Sequence, residues 1–232
     1  TGGKVEFRRA EGSGDAAEVE AYFAQGAAWV ELGDALPWRS DPHLRECMKR
    51  FPNLRILRQP FGETLFSFLC SSAKQILQIK QCCREVARRL GGDLGGANHA
   101  WPEWAVLAGA GEDALRECHL GYRARYVWEV ARILSDQPNF ELRVLNASYE
   151  DAKALLMNLP GVGPKVADCV LLFGAGKLEA FPVDTWVTRA MSRVYGLEGW
   201  DVAKITRFGR AHFGEAAGLA QQYLFAWERQ TG

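Results

Sequence analysis

An all-α fold is predicted by three observations. Apolar residues recur at spacings of three and four from Ala16 onward, glycine or proline interrupts the pattern between periodic stretches, and the one strand-like piece, KVEFRR, is confined to the N-terminus. The chain has 232 residues, enough for one large core or two modest ones, and its 48% hydrophobic and 24% charged residues exclude a disordered chain. Twenty-eight basic residues balance 28 acidic ones, so no global positive field announces a polyanionic partner and any such contact is local. Six cysteines without a CxxC pair read as reduced, partly buried thiols. No signal peptide or transmembrane run is present in the sequence, so an intracellular location and no membrane partner are expected.

The elements follow in order. KVEFRR is read as a short strand-like piece within 1–12 followed by a loop, and the helical pattern covers 13–232. Between Phe61 and Leu90, Leu65, Phe68 and Leu69 begin an apolar stripe that Ile76, Ile79, Cys83 and Val86 continue after the polar SSAKQ interruption, itself a loop or helix start. Residues 121 to 126, GYRARY, interleave aromatic and basic side chains, a pattern equally compatible with a solvated helix whose arginine stems lie along apolar surface. Ser148 is placed to cap a helix carrying Ala152, Leu155, Leu156 and Leu159 on one face, and the next helix repeats the spacing with Val166, Cys169, Val170 and Phe173.

The stretch LPGVGPKVADCVLLFGAGKLEAFPVDTW, residues 159 to 186, is the most informative. Gly161 and Gly163 flanking Val162 permit a tight hairpin, about 151–175 with its helices, whose N–H groups point outward at a phosphate while the following helix N-terminus adds its positive pole. Lys165 falls in the first turn of that helix, where the dipole and any nearby cation disfavour the ammonium, and a neutral lysine is a nucleophile. Asp184, nineteen positions later, precedes Val187, Ala190, Met191 and Val194 at helical spacing, so it reads as an N-cap with one carboxylate oxygen left for a cleft. Taken alone, the glycines fit a plain connection between helices as well as they fit a phosphate grip. Cys169, one turn after Lys165, and Phe225, one turn after Gln221, are each equally readable as core.

These motifs resemble the helix-hairpin-helix DNA glycosylase superfamily, in which LPGVG, the lysine and the PVD aspartate mark the bifunctional glycosylase/AP-lyase branch. The flanking residues are similar to the 8-oxoguanine DNA glycosylases of eukaryotic type, and the chain lacks the four-cysteine cluster of related iron–sulfur glycosylases. The resemblance implies two helical subdomains flanking a DNA-binding cleft, a monomer acting on damaged double-stranded DNA, and an antiparallel-sheet domain before the helices, of which VEFRR within 1–12 is the last strand, either truncated or naturally shortened; without its partners that strand has an open edge. It implies Lys165 as nucleophile and Asp184 as the carboxylate that stabilises charge on the departing sugar. Cys169 then lies against the flipped base and pairs electrostatically with the lysine, while Gln221 reads the base edge and Phe225 stacks on its ring. Tyr122 and Arg123 enter the duplex around the vacated base, and Gly161, Val162 and Gly163 hold the backbone. No cofactor is required by this chemistry, although hairpin carbonyls could hold a cation.

Three departures stand out. Ala73, Lys74, Gln75 and Gln78 replace the asparagines and arginine that read the orphaned cytosine in the eukaryotic enzymes, leaving Lys74 as a phosphate contact; Trp186 replaces a histidine; and the preceding sheet domain would supply a glycine carbonyl that distinguishes the oxidised base. Two other readings remain open at this level: a lyase for another damaged base or chiefly for abasic sites, and a DNA-binding module without catalysis.

Overall fold

The computed structural model describes residues 16–24, 28–72 and 74–231, so KVEFRR and Ala73 lie outside the described residues. Among the described residues thirteen α-helices follow one another: α1 (Ala16–Tyr22), α2 (Trp29–Ala35), α3 (Pro42–Arg50), α4 (Phe61–Leu69), α5 (Ile76–Leu90), α6 (Trp104–Leu115), α7 (Arg123–Ser135), α8 (Phe140–Asn146), α9 (Tyr149–Met157), α10 (Pro164–Cys169), α11 (Thr185–Tyr195), α12 (Val202–Phe213) and α13 (Ala217–Thr231). Wider π-helical turns occupy Arg116–Leu120 and Val170–Gly174. Among the described residues no strand forms, and the one β-bridge joins Asp93 to His99. No helix among them is long and apolar enough to cross a membrane.

Helices α5, α6 and α7 pack together with the first π-turn, whereas α11, α12 and α13 pack with α3. Helices α4 and α10 touch each other between these groups, and α9 packs on α10. The placement of α3 against the end of the chain follows from buried polar groups. Asp41 caps α3 through the Leu44 amide at 2.9 Å, accepts from the Tyr195 hydroxyl at 2.8 Å and lies 3.1 Å from His212 Nε2. Glu228, also buried, pairs with Arg193 across α13 and α11.

Two parts of the apolar stripes fall differently from the sequence reading. Ile76 is 51% exposed and Leu77 beside it 76%, while Cys82 and Val86 carry the buried face of α5. Among the described residues the main packing of α5 is against α6 and the first π-turn. The stripe from Val166 to Phe173 crosses from α10 into the second π-turn, where Ala175 N–H reaches the Val170 carbonyl at 2.9 Å. Gly174 lies against Thr64 there, with a virtual Cβ 3.4 Å away, so the wider turn lets the backbone settle onto α4.

The hairpin is locked by a buried carboxylate. Asp168 on α10 accepts from Tyr149 Oη at 2.6 Å and from Lys153 Nζ at 2.8 Å, both on α9. Burial pushes the Asp168 carboxyl up from its ordinary range, and Lys153 and Tyr149 oppose that shift. Ser148 caps α9 by accepting from Asp151 N–H at 3.2 Å. In the connecting turn only Gly161 needs to be glycine. Its φ is 78°, and a Cβ would lie 2.9 Å from Tyr126 Cγ. Gly163, with φ −92°, is conformationally ordinary and faces open space.

Gly161→Ala should therefore lower unfolding free energy by about 1–2 kcal/mol from the left-handed backbone alone, with more from displacing Tyr126. Gly163→Ala should stay within about 1 kcal/mol of the parent. Urea midpoints measure both, and equal losses would contradict the distinction.

Candidate active site

A cavity of about 160 Å³ opens between α4, α10, the second π-turn, α11 and α13, lined by Phe68, Lys165, Cys169, Phe173, Pro182, Asp184, Gln221, Gln222 and Phe225. Five of the residues singled out from sequence, Lys165, Cys169, Asp184, Gln221 and Phe225, thus meet in one small space. Helix geometry explains each pair: Lys165 and Cys169 lie one turn apart on α10, and Gln221 and Phe225 one turn apart on α13.

Lys165 Nζ donates to Ser71 Oγ at 3.2 Å, and Ser71 in turn donates to the Phe68 carbonyl at 2.7 Å. The ammonium also sits 5.1 Å above the Phe68 ring centre. Among the described residues Lys165 forms no ion pair, and no second cation lines the cavity. Asp184 caps α11, with Oδ1 accepting from the Val187 amide at 2.9 Å. Its other oxygen makes no hydrogen bond among the described residues, so the carboxylate is fixed by the helix and still presents an acceptor to the cavity.

Cys169 is buried, and that burial pushes its thiol up to about 12, with the Lys165 ammonium opposing. Burial thus favours the neutral thiol at Cys169, and the neighbouring lysine favours the charged form. Gln221 is also buried, and its Oε1 accepts from Gln222 Nε2 at 2.6 Å. Phe225 is half-buried beneath Arg229, whose guanidinium lies 5.5 Å from the ring centre. The stacked Phe68 and Phe173 rings, 5.7 Å apart and 12° from parallel, border the same space. Sequence reading assigned these two to the core, because an apolar stripe carries no signal that separates core from cavity wall.

The remaining sequence candidates lie outside the cavity. Val162 is buried, so the hairpin presents backbone rather than side chain around it. Tyr122 is 55% exposed; its hydroxyl donates to Ser72 Oγ at 3.4 Å and its ring lies 6.5 Å from Tyr126, which packs beneath Gly161. Arg123 is 6% exposed, folded 4.2 Å over the Tyr122 ring, and its buried Nε has no hydrogen-bond partner among the described residues. Entry into a duplex requires it to leave that stack. Lys74 departs from the expected phosphate contact, since its ammonium turns inward to the His119 carbonyl at 2.8 Å. Gln78 is occupied too, its Oε1 accepting from the Gln75 amide at 3.0 Å. Trp186 carries the Arg189 guanidinium 5.1 Å over its ring, adding a cation to α11 that sequence reading passed over.

A family model described as HhH-GPD superfamily base excision DNA repair protein matches residues 66–211, from α4 through the hairpin, Lys165 and Asp184 into α12. The chain belongs to this HhH-GPD superfamily. It is 32% identical over 227 residues to the probable N-glycosylase/DNA lyase of Methanothermobacter thermautotrophicus, covering 87% of this chain and 72% of the relative. It is 35% identical over 206 residues to the N-glycosylase/DNA lyase of Arabidopsis thaliana, covering 82% of this chain and 56% of that protein. Among solved structures, the 8-oxoguanine glycosylase/lyase of Clostridium acetobutylicum, in complex with double-stranded DNA containing cytosine opposite 8-oxoguanine, superposes with a TM-score of 0.86 at 32% identity, covering 91% of this chain and 73% of that one. The HhH-GPD match ends before α13, so Gln221 and Phe225 lie outside its span.

The cap geometry makes Asp184 separable into two roles. Asp184→Asn should keep the α11 cap and leave thermal stability near the parent, whereas Asp184→Ala should cost about 1 kcal/mol. Calorimetry of the two variants checks this, and an equal loss would remove the cap.

Proposed function

We propose that this chain excises an oxidised purine, 8-oxoguanine foremost, from duplex DNA and cleaves the resulting abasic strand. The observation that carries the reading is the meeting of one lysine and one carboxylate in a small cavity walled by aromatic rings and closed by a glutamine. An extruded purine has two flat faces and a polar edge, which these groups complement.

Lys165 Nζ, once deprotonated, attacks C1′ of the nucleotide. The C1′–N9 bond breaks and its electron pair leaves with the base, which takes up a proton. The Asp184 carboxylate stabilises the positive charge that develops on the sugar during this step. The covalent amine then opens the ring to a Schiff base, which acidifies the C2′ protons. Loss of one of them expels the 3′ phosphate by β-elimination. A hydrolytic glycosylase would need the carboxylate but no amine at this position, so Lys165 supports the bifunctional reaction. Arg229 above Phe225, Arg189 on α11 and the N-terminus of α10 supply local positive potential in a chain of zero net charge.

Two experiments test the reading. Borohydride should trap the wild-type chain covalently on 8-oxoguanine duplexes and on abasic duplexes, and Lys165→Gln should abolish trapping on both while retaining DNA binding. Substantial trapping by that variant would remove Lys165 from the chemistry.

The second concerns the opposite strand. Gln78 is held by a backbone amide, and Ile76 and Leu77 beside it offer no hydrogen bond to an orphaned base. Single-turnover excision opposite the four bases should therefore agree within about tenfold, or ~1.4 kcal/mol. A preference for cytosine beyond about a hundredfold, well outside that range, would show that other residues read the orphaned base.

A further inference from the structure

We propose that Lys74 is a positioning residue that ties the loop after α4 to the turn preceding Tyr122, holding the duplex-entering residues ready for base extrusion. The proposal rests on the glycosylase reading above. Three residues of one short loop carry it. Ser71 touches the Lys165 ammonium, Ser72 accepts from the Tyr122 hydroxyl, and Lys74 reaches across to the first π-turn. The loop thus contacts both the nucleophile and the side chain that meets the duplex.

The turn it holds is irregular. Cys118 departs from helical ψ at 24°, His119 is left-handed with φ 64°, and Gly121 has φ 61°. Such a turn leaves its carbonyls without intrahelical donors. The His119 carbonyl accepts from Lys74 Nζ at 2.8 Å, and Cys82 Sγ lies 3.4 Å from the same oxygen. Lys74 Nζ also lies 3.5 Å from that sulfur, so ammonium, sulfur and carbonyl form a closed triangle joining the loop, α5 and the turn. Cys82 is fully buried at the base of this triangle. Hydrogen bonding with Cys70 lowers the Cys82 thiol from its ordinary range, burial opposes this, and the Lys74 charge assists it. A left-handed histidine is disfavoured in isolation, and a charge-assisted hydrogen bond is strong enough to offset that cost. Without the tie, the turn next to the Tyr122–Arg123 pair loses one of the contacts that hold it.

The test compares a substrate that must be extruded with one that has no base to extrude. Lys74→Met keeps the aliphatic stem and removes the charge. In stopped-flow measurements with 2-aminopurine beside 8-oxoguanine, extrusion and single-turnover excision should slow by about tenfold or more. Cleavage of a preformed abasic duplex should stay within about threefold of wild type, because its barrier contains no base extrusion. Lys74→Arg, which retains a charged donor, should recover excision to within about threefold. Equal slowing on both substrates, failure of Lys74→Arg to recover, or no slowing at all would overturn the proposal. Should Lys74→Met not fold, Lys74→Gln, polar but too short to reach His119, gives the same comparison. Wild-type protein is the control for the underlying reading: if it excises no 8-oxoguanine, that reading fails, whereas normal wild-type excision with an unaffected variant counts against Lys74 alone.

Discussion

The buried carboxylate of Asp168 constrains the rest of the site. A carboxylate at 1% exposure is tolerated only with partners, and both of its partners, Tyr149 and Lys153, belong to the preceding helix. Satisfying them fixes the rotation of α10 about its axis. Lys165 and Cys169, three residues before and one after, then have no freedom over which direction they face. The same rotation sets where the hairpin turn emerges, and Tyr126 beneath Gly161 closes that turn from the other side. The direction of Lys165 is thus set by a polar contact made less than one turn away on the same helix.

Around that fixed helix the cavity is assembled from distant parts of the chain. Phe68 comes from α4, Asp184 from the cap of α11, and Gln221 and Phe225 from α13. The carboxylate's position comes from its own helix, whose first turn needs an acceptor there regardless of chemistry. Zero net charge is consistent with this economy, because the cations that matter sit on aromatic faces and helix ends near the site instead of spreading over the surface.

Much of this was legible in the linear pattern, and the reason is periodicity. Lys165 with Cys169, and Gln221 with Phe225, are one helical turn apart, and Asp184 stands where a cap is needed, so their directions follow from local geometry. Phe68 and Phe173 escaped because a residue facing a cavity and one facing the core have the same spacing. Lys74 was misdirected for a different reason: a lysine in a polar loop reads as exposed, and its true acceptor, the His119 carbonyl, is 45 residues away in a turn whose left-handed backbone no motif announces. Ile76 was assigned inward because the stripe continues through it, whereas burial also requires a packed neighbour, and Ile76 remains 51% exposed among the described residues. The attachment of α3 to α11 and α13 through Asp41 is likewise a long-range matter, invisible to any window.

The stowed Arg123 sets which member of its pair meets the solvent. With the guanidinium folded over the Tyr122 ring, the tyrosine is the exposed member and the arginine the sheathed one. On the glycosylase reading proposed above, contact through backbone amides and charges would be indifferent to sequence and permit sliding, and the arginine would unfold only where a base has left the stack. Its buried Nε, without a hydrogen-bond partner among the described residues, would then gain one.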